Sequence, residues 1–366
     1  MEILPKTLGT RPRLAIEVRA EGVVAARAED ANALLTMVCR ADLAEGAVAP
    51  GLKVGNIVDR SRVGAAIRRV LDHVAGSSRE RSRDVTVVVP DSAVRVLFVD
   101  FDQLPSKAAE ALPVVRFRLK KLLPFDADEA MVSYQVMSSE KDSVKLLAVA
   151  MPKAVLEEYE AVVLAAGYLP GAVLPSTLAA LAGLEESVAP VLVVNAGMGT
   201  VTTAIVQAGT LLLHRSVDMT VRVSAPAEVK TVVPLVDREA TAQEWAQQEP
   251  LGPGGWDHYD ADAAMQTSMV ETAVLREMEE RAVAHEVAQA VSVTAAYFED
   301  SLQRSPDQLL VAGTLGKESL AAMLEESGLA GLRVREMVEA GMIEAGAATA
   351  SVPRGWLAGV RGALRN

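Results

Sequence analysis

The sequence predicts an α/β protein with two similar halves. Two segments read as strand–turn–strand hairpins, one at Leu14–Val18 with Gly22–Ala28 and one at 191–209, because β-branched runs flank a short turn in each. Each hairpin is followed by further predicted strands and by helices. No close sequence repeat accompanies this pattern. Alternating strands and helices in two successive groups indicate an α/β architecture with duplicated halves.

Composition narrows the class of protein. At 366 residues, 50% of them hydrophobic and only 4% aromatic, the chain predicts two or more domains with cores of Val, Leu and Ala. The net charge of -12 argues against nonspecific nucleic-acid binding, which needs a basic surface. The single cysteine, Cys39, can form neither an intramolecular disulfide nor a CxxC metal pair. We expect a buried, inert thiol in a reducing cytosol.

Two uncharged segments, 161–184 and 187–214, are long enough to span a bilayer. We interpret neither as a membrane helix. Pro170 and Pro175 interrupt the first, and a hairpin turn in the second would leave backbone groups unpaired in lipid. The N-terminus lacks the apolar stretch of a signal peptide, so we expect a cytoplasmic protein.

Residues 61–185 predict alternating elements with regular boundaries. Strands are predicted by short apolar or alternating runs at 84–90, 94–101, 129–137, 144–150 and 169–174. Helices are predicted at 61–74, from the N-cap Ser106 through the basic stretch 114–123, at 152–166, and at 177–184 with Ser176 as N-cap. Residues 138–142 are predicted to form a polar turn.

The second half predicts a similar series of elements. Strands are expected at 211–217, 308–312 and 332–337, and helices at 267–302 and 317–327. The final stretch, 356–364, is predicted to be a short basic amphipathic piece. Residues 237–266 are acidic, include Trp245 and Trp256, and are interpreted as an exposed insertion.

The turn of the second hairpin has two open interpretations. Gly197 and Gly199 permit a tight turn and close approach of a ligand to the backbone, and exposed turn amides can cradle phosphate. Position 195 is an asparagine, whereas a turn that holds Mg²⁺ near phosphate usually carries a carboxylate. The alternative is a tight hairpin in a core sheet without a ligand.

Residues 85–175 resemble the type IV pilus assembly protein PilM, a relative of the cell-division protein FtsA. The resemblance lies in the stretches VTVVVPDSAVRVLFVDFDQLP, VRFRLKKLLPFDADEAMVSYQVM and KLLAVAMPKAVLEEYEAVVLAAGYLP. With gaps it extends from about residue 14 to about residue 347. It implies an actin-like fold of two RNase-H-like halves, with an inserted FtsA-type α+β subdomain and a nucleotide cleft between the halves.

The resemblance also implies a division into domains. The first half is assigned to 1–90, 176–190 and about 345–366, and the inserted subdomain to 91–175. The second half is assigned to 191–344, in which 220–300 form a further subdomain around the acidic insertion.

The nucleotide motifs differ from those of the family. In the first phosphate turn, Arg19 stands where relatives have glycine, and Val24 where they have lysine. The second turn carries an amide at its first position, and the adenosine turn reads Ala312-Gly313-Thr314. The resemblance implies ATP and Mg²⁺, but the lost carboxylate weakens any metal site. The candidate nucleotide-binding residues are Glu17, Gly22, Asn195, Gly197, Gly199, Thr200, Gly313 and Thr314.

Our first functional hypothesis is a cytoplasmic scaffold of pilus assembly and twitching motility, with nucleotide binding weak or lost. By resemblance it binds the N-terminal tail of a PilN-like inner-membrane protein, contacts other pilus motor or platform proteins, and reaches the membrane only through that partner. A basic stretch supplies candidate partner-binding residues that could instead form a solvated helix face. These candidates are Arg116, Arg118, Lys120 and Lys121.

Two other hypotheses stay open. One is an active actin-like ATPase of pilus or secretion machinery, or a divergent cell-division protein. The other is an unrelated hydrolase or metalloprotein. The four histidines share no metal-ligand spacing, and neither GxSxG nor HExxH occurs. We therefore assign no catalytic residue and no metal ligand.

Overall fold

Most of the strands and helices that the sequence predicts are present, and the structure adds a strand at Leu35–Asp42 that was not predicted. The strands are β1 (Leu14–Val18), β2 (Gly22–Ala28), β3 (Leu35–Asp42), β4 (Asp84–Val89), β5 (Arg95–Phe101), β6 (Ala130–Glu140), β7 (Ser143–Pro152), β8 (Leu169–Pro175), β9 (Val191–Gly197), β10 (Thr200–Gln207), β11 (Thr210–Asp218), β12 (Gln308–Gly313) and β13 (Arg333–Glu336). The helices are α1 (Arg60–Ala75), α2 (Ala108–Leu119), α3 (Lys153–Ala165), α4 (Ser176–Ala182), α5 (Ala261–Leu302), α6 (Lys317–Glu326) and α7 (Ala358–Leu364).

This computed structural model describes most of the chain. The described residues are 12–76, 83–185, 187–219, 261–306, 308–329, 331–347 and 352–365. The chain divides into two compact units, Met1–Arg222 with Val283–Asn366, and Val223–Ala282. The contacts reported below all lie within the first unit. The predicted acidic insertion at 237–266 lies outside the described residues, apart from the start of α5.

Two five-stranded sheets have the same topology. In the first, the strand order is β3-β2-β1-β4-β8, and in the second it is β11-β10-β9-β12-β13. Each begins as an antiparallel meander and continues with two strands parallel to its first strand. The prediction of two similar halves is therefore confirmed at the level of the sheets. The assignment of domain boundaries stays a prediction.

Alternation along the strands builds three cores. In β1, Ile16 and Val18 face α1 and α3, whereas Ala15 faces a central core. In β9, Leu192 and Val194 face α5 and α6, and Val193 faces the same central core. That central core is completed by α4 and α7, so two buried helices lie between the sheets. Both faces of each sheet are covered, which explains the nearly continuous apolar runs of the central strands.

A third, smaller sheet lies outside these layers. Its order is β5-β7-β6, all antiparallel, and α2 covers one face of it. Val99, Leu119 and Leu146 are among the buried residues of this separate core. The arrangement has the α+β composition that we predicted for the inserted subdomain.

Several local predictions are wrong. Ser106 does not cap α2, which begins at Ala108 after Lys107 and ends at Leu119, four residues before the predicted end. The predicted turn at 138–142 is shorter, because β6 continues to Glu140 and pairs with Ser143. Ser176 is the first residue of α4 and forms no N-cap hydrogen bond, because its hydroxyl contacts other side chains.

The C-terminal piece differs most from its prediction. We expected a basic amphipathic segment at 356–364, but every residue of α7 is buried, including Arg361. The Arg361 guanidinium donates to the carbonyl oxygens of Gly183 at 2.8 Å and Asn32 at 3.1 Å. Its charge thus serves to tie loops together in the interior. No described helix has both the length and the apolar character needed to cross a membrane.

Candidate functional site

The carboxyl ends of the parallel strands bring polar residues to one place. Arg19 follows β1, Asp91 follows β4, and Ser176 follows β8. Asn195 lies near the end of β9, and Thr314 follows β12. In open α/β sheets, this edge is where ligand sites usually form. We call the region where these five strand ends meet the cleft.

Alternation along the strands determines which side chains reach the cleft. Glu17 shares the inner face of β1 with Ala15, and Asn195 shares the inner face of β9 with Val193. On the inner face of each strand, the position that follows the last apolar residue therefore carries a polar residue. This is why two predicted site residues that are 178 positions apart lie in one buried cluster.

A buried ion pair forms the centre of the cleft. The Arg19 guanidinium contacts Glu17 Oε1 at 2.6 Å, with side-chain exposures of 8% and 0%. Arg19 Nη2 also donates to Ser176 Oγ at 2.9 Å and lies 3.5 Å from Asn195 Oδ1. Ser176 Oγ donates to Glu17 Oε1 at 2.6 Å. Arg19 therefore fills the space between the first turn and the side chains of Ser176 and Asn195.

Asn195 connects this pair to a second carboxylate. Its Nδ2 donates to Ser176 Oγ and Thr177 Oγ1, both at 2.9 Å, and lies 3.5 Å from Asp91 Oδ2. The Thr177 amide donates to Asp91 Oδ1 at 3.1 Å, and its hydroxyl donates to Asp91 Oδ2. We call these six residues the cleft network: Glu17, Arg19, Asp91, Ser176, Thr177 and Asn195.

Burial governs the ionisation of Glu17. Desolvation raises the pKa of the Glu17 carboxyl, whereas the nearby Arg19 charge and the Ser176 hydrogen bond oppose that rise. Its Oε2 has no hydrogen-bond partner among the described residues. Gly359 of α7 packs directly against this carboxylate, and a Cβ there would overlap Oε2. The carboxylate is thus enclosed by the protein rather than presented to a ligand.

A second set of contacts joins the two hairpin turns. Glu21, in the first turn, accepts a hydrogen bond from the Met198 amide of the second turn at 2.5 Å. The same oxygen, Oε1, accepts from the Thr314 hydroxyl at 2.7 Å. It also lies 3.0 Å from the position that a Cβ would take on Gly197. The Glu21 carboxylate therefore covers the glycine turn and accepts hydrogen bonds from the residues that follow β9 and β12.

The remaining predicted nucleotide residues shape the backbone. Gly199 has φ +84° and Gly313 φ +92°, both in the region that glycine favours. A Cβ on Gly313 would overlap the Ala196 carbonyl oxygen. Gly22 pairs with Asp42 where β3 approaches closely, and Thr200 pairs with Gly197 at the start of β10.

These residues do not fit a bound nucleotide with Mg²⁺ in the arrangement observed. The Met198 amide and the Thr314 hydroxyl both donate to Glu21. The Glu17 carboxylate is paired with Arg19, and Asp91 with Thr177. Within the described part of the chain, no group of three or more His, Cys, Asp or Glu side chains is placed to hold a metal ion.

The four basic partner candidates fall into two pairs. Arg116 is half-buried and donates to the carbonyl oxygens of Ala127 at 3.2 Å and Ala130 at 3.3 Å. Lys120 forms an ion pair with Asp128 at 2.5 Å, and that hydrogen bond raises the pKa of its ammonium group. These two side chains hold the loop after α2.

The other two candidates, Arg118 and Lys121, are exposed and form no ion pair with any described residue. Phe117, next to Arg118, has 70% of its surface exposed, and Val114 and Leu122 nearby are also exposed. We call Val114, Phe117, Arg118, Lys121 and Leu122 the α2 patch. It combines apolar surface with two positive charges that have no ion-pair partner among the described residues.

Comparison with solved structures finds a strong likeness over the full length of the chain. A chain of the PilM–PilN type IV pilus biogenesis complex superposes with a TM-score of 0.67 at 16% identity, covering 96% of this chain and 98% of that chain. The chain has the actin-like fold. The predicted fold class is therefore confirmed. No protein-family model matches the sequence, and no curated protein matches it.

Other actin-like structures match less well. The ethanolamine utilization protein EutJ from Carboxydothermus hydrogenoformans superposes with a TM-score of 0.43 at 12% identity, covering 96% of this chain and 89% of that one. A protein with actin-like ATPase fold and unknown function from Bacteroides thetaiotaomicron gives 0.42 at 10% identity, covering 88% and 90%. At these TM-scores neither likeness adds to the assignment of function.

Four residues of the cleft were missed in the sequence. The sequence analysis assigns no site role to Asp91 or Glu21, and it assigns Ser176 and Thr177 only to the start of the helix predicted at 177–184. The available signal was position, because Asp91 follows β4 and Ser176 follows β8, and both strands lie parallel to β1. Polar residues just after parallel strands meet at one edge of the sheet. For Glu21 the sequence holds no comparable signal.

Proposed function

We propose that this chain is a cytoplasmic actin-like scaffold of type IV pilus assembly or a related secretion machine, in which nucleotide binding is weak or lost. It binds the N-terminal tail of a PilN-like inner-membrane protein and reaches the inner face of the membrane through that partner. Other motor or platform proteins of the same assembly are further partners.

The observation that carries this proposal is the likeness to a chain of the PilM–PilN complex. It includes nearly the full length of both chains, so it is not limited to the sheets that many actin-like proteins share. The cleft supports the non-enzymatic part of the proposal. A phosphate-transfer site needs positioned donors and a metal, and here the donors bond to the protein's own carboxylates.

The α2 patch is the surface that we propose for part of the partner contact. Arg118 and Lys121 would pair with an acidic stretch of the partner tail, while Phe117 supplies a large aromatic contact. Arg116 and Lys120 would act indirectly, because they hold the loop that follows α2.

A binding measurement with the full chain tests the proposal. The probe is a fluorescent synthetic peptide with the N-terminal cytoplasmic sequence of the inner-membrane protein encoded beside this chain. We expect saturable binding in the micromolar range, an order of magnitude typical of short tails that order on binding. A scrambled peptide is the control. If the native and scrambled peptides bind equally, or neither binds, the scaffold proposal is wrong.

A further inference from the structure

The turn at 195–200 has the geometry of an anion site. The Met198 amide and the Thr314 hydroxyl converge on one point, and the glycines at 197 and 199 leave the backbone uncovered by side chains of the turn itself. A backbone amide and a hydroxyl that converge in this way bind the oxygens of an anion. The guanidinium of Arg19 adds a positive charge close by, with Nη1 3.6 Å from the Cβ position of Gly197.

The point where these donors converge holds the Oε1 atom of Glu21. A carboxylate presents the same charged oxygen acceptors as a phosphate, so hydrogen bonds from an amide and a hydroxyl stabilise it in the same way. Glu21 belongs to the first sheet's hairpin, whereas Met198 and Thr314 belong to the second sheet. The contact therefore joins the two sheets across the cleft.

We propose that Glu21 is an internal ligand of this anion site. Its carboxylate occupies the position of a bound oxyanion and holds the two hairpin turns together, so that the cleft is closed without a nucleotide. The pair of Glu17 and Arg19 also joins the two sheets, since Arg19 donates to Ser176 and lies close to Asn195 of the second sheet. Removing the carboxylate exposes a site for a small oxyanion of the phosphate class.

This inference rests on contacts within the cleft and deepens the proposed loss of nucleotide binding. It is independent of whether the chain binds a membrane protein's tail. Measuring tail binding on the same variants separates the two, because a failure at the cleft leaves that affinity unchanged.

Hydrogen exchange at the Met198 amide measures the contact directly. We compare the full chain with the Glu21→Ala and Glu21→Gln variants, and use Glu140→Ala, an exposed strand residue, as the matched control. In Glu21→Ala we expect exchange at Met198 to be about 10- to 100-fold faster, as for the loss of a hydrogen bond to a charged group. Glu21→Gln keeps the shape and loses the charge, so it should show a smaller increase. The control should not change.

Isothermal titration calorimetry with pyrophosphate tests the anion site itself. We expect Glu21→Ala to bind pyrophosphate in the millimolar range or tighter, and the unmodified chain and Glu140→Ala to bind at least tenfold more weakly. Unchanged exchange at Met198 in both Glu21 variants would overturn the proposal. So would equal pyrophosphate binding by the unmodified chain and Glu21→Ala, or no binding by either Glu21 variant.

Discussion

At the scale of single residues, the pair of Glu17 and Arg19 decides what the cleft can hold. Two opposite charges enclosed in the interior stabilise each other only while both are present, because each alone would be a buried, unpaired charge. A glycine at position 19 would leave room beside the Glu17 carboxylate and the Ser176 hydroxyl. The arginine removes that room and supplies the positive charge internally.

Replacing Arg19 with alanine should therefore destabilise the fold in a pH-dependent way. Near neutral pH we expect a loss of about 3 to 5 kcal/mol, since Glu17 is left buried without its counter-ion. Burial raises the pKa of Glu17 above its ordinary value of 4.5 while the Arg19 charge opposes that rise, so removing Arg19 raises the folded-state pKa further. The penalty is thus smallest below about pH 4.5 and grows as pH rises through the folded pKa.

Urea unfolding of Arg19→Ala at pH 4.5 and pH 7.5 measures this difference. The double variant Glu17→Gln with Arg19→Ala is the control, because a neutral amide at 17 removes the titrating group. Its loss of stability should be nearly the same at both pH values. An Arg19→Ala penalty that is independent of pH would show that Glu17 is not the group left unpaired.

At the scale of elements, α7 shows how glycine determines packing between the sheets. Gly362 lies against the backbone of Ala179 in α4, and Gly359 lies against Glu17. Neither position has room for a Cβ. The short helix can therefore approach both α4 and the first sheet closely enough to close the central core.

The Gly362→Ala variant should be destabilised by at least about 2 kcal/mol, because the added methyl group overlaps the Ala179 carbonyl oxygen and forces α4 and α7 apart. Gly341 is the matched control, since it is exposed and has no atom within 4 Å of its Cβ position. Thermal unfolding compares the two. Equal melting temperatures would mean that α7 does not pack as described.

The α2 helix offers a second test at this scale. Arg116→Ala should cost about 1 to 3 kcal/mol, because the carbonyl groups of the loop after α2 lose their donor. Arg118→Ala, an exposed neighbour with no ion pair to any described residue, should stay within about 0.5 kcal/mol. Chemical denaturation gives both values.

Substitutions at the exposed residues of the α2 patch should instead weaken binding of the tail peptide. With Arg118 and Lys121 both replaced by alanine, we expect affinity for an acidic tail to fall about five- to tenfold, as for the loss of two exposed charge contacts. If this double variant binds as well as the unmodified chain, the α2 patch is not a contact surface.

Strands and helices with strong periodicity were predictable from sequence, whereas tertiary context decided the rest. The helix predicted at 61–74 corresponds to α1, and the two predicted hairpins correspond to β1–β2 and β9–β10. A buried face in each of these elements sets the spacing of its apolar residues. The prediction of an amphipathic segment at 356–364 was wrong because a charged residue usually indicates an exposed face. The Arg361 side chain is instead buried against the backbone carbonyl groups of Gly183 and Asn32, which are remote in sequence. Ser176 was likewise predicted to be an N-cap, because the partners of its hydroxyl, Glu17 and Arg19, are remote in sequence.

At the scale of the whole molecule, two equivalent sheets present their strand ends to each other across the cleft. The strand order is the same in both, and α4 and α7 lie between them. The sequence predicted this duplication. It could not predict that Glu21 and Arg19 would fill the cleft, because hydrogen bonds between residues 157 and 293 positions apart leave no local pattern.

The central prediction is that the protein's own side chains close the cleft of this actin-like fold. Calorimetric titration of the full chain with Mg-ATP tests it most directly. We predict no heat of binding at millimolar nucleotide. Binding in the micromolar range that is lost on replacing Gly197 or Gly313 with valine, with the fold intact by circular dichroism, would contradict it.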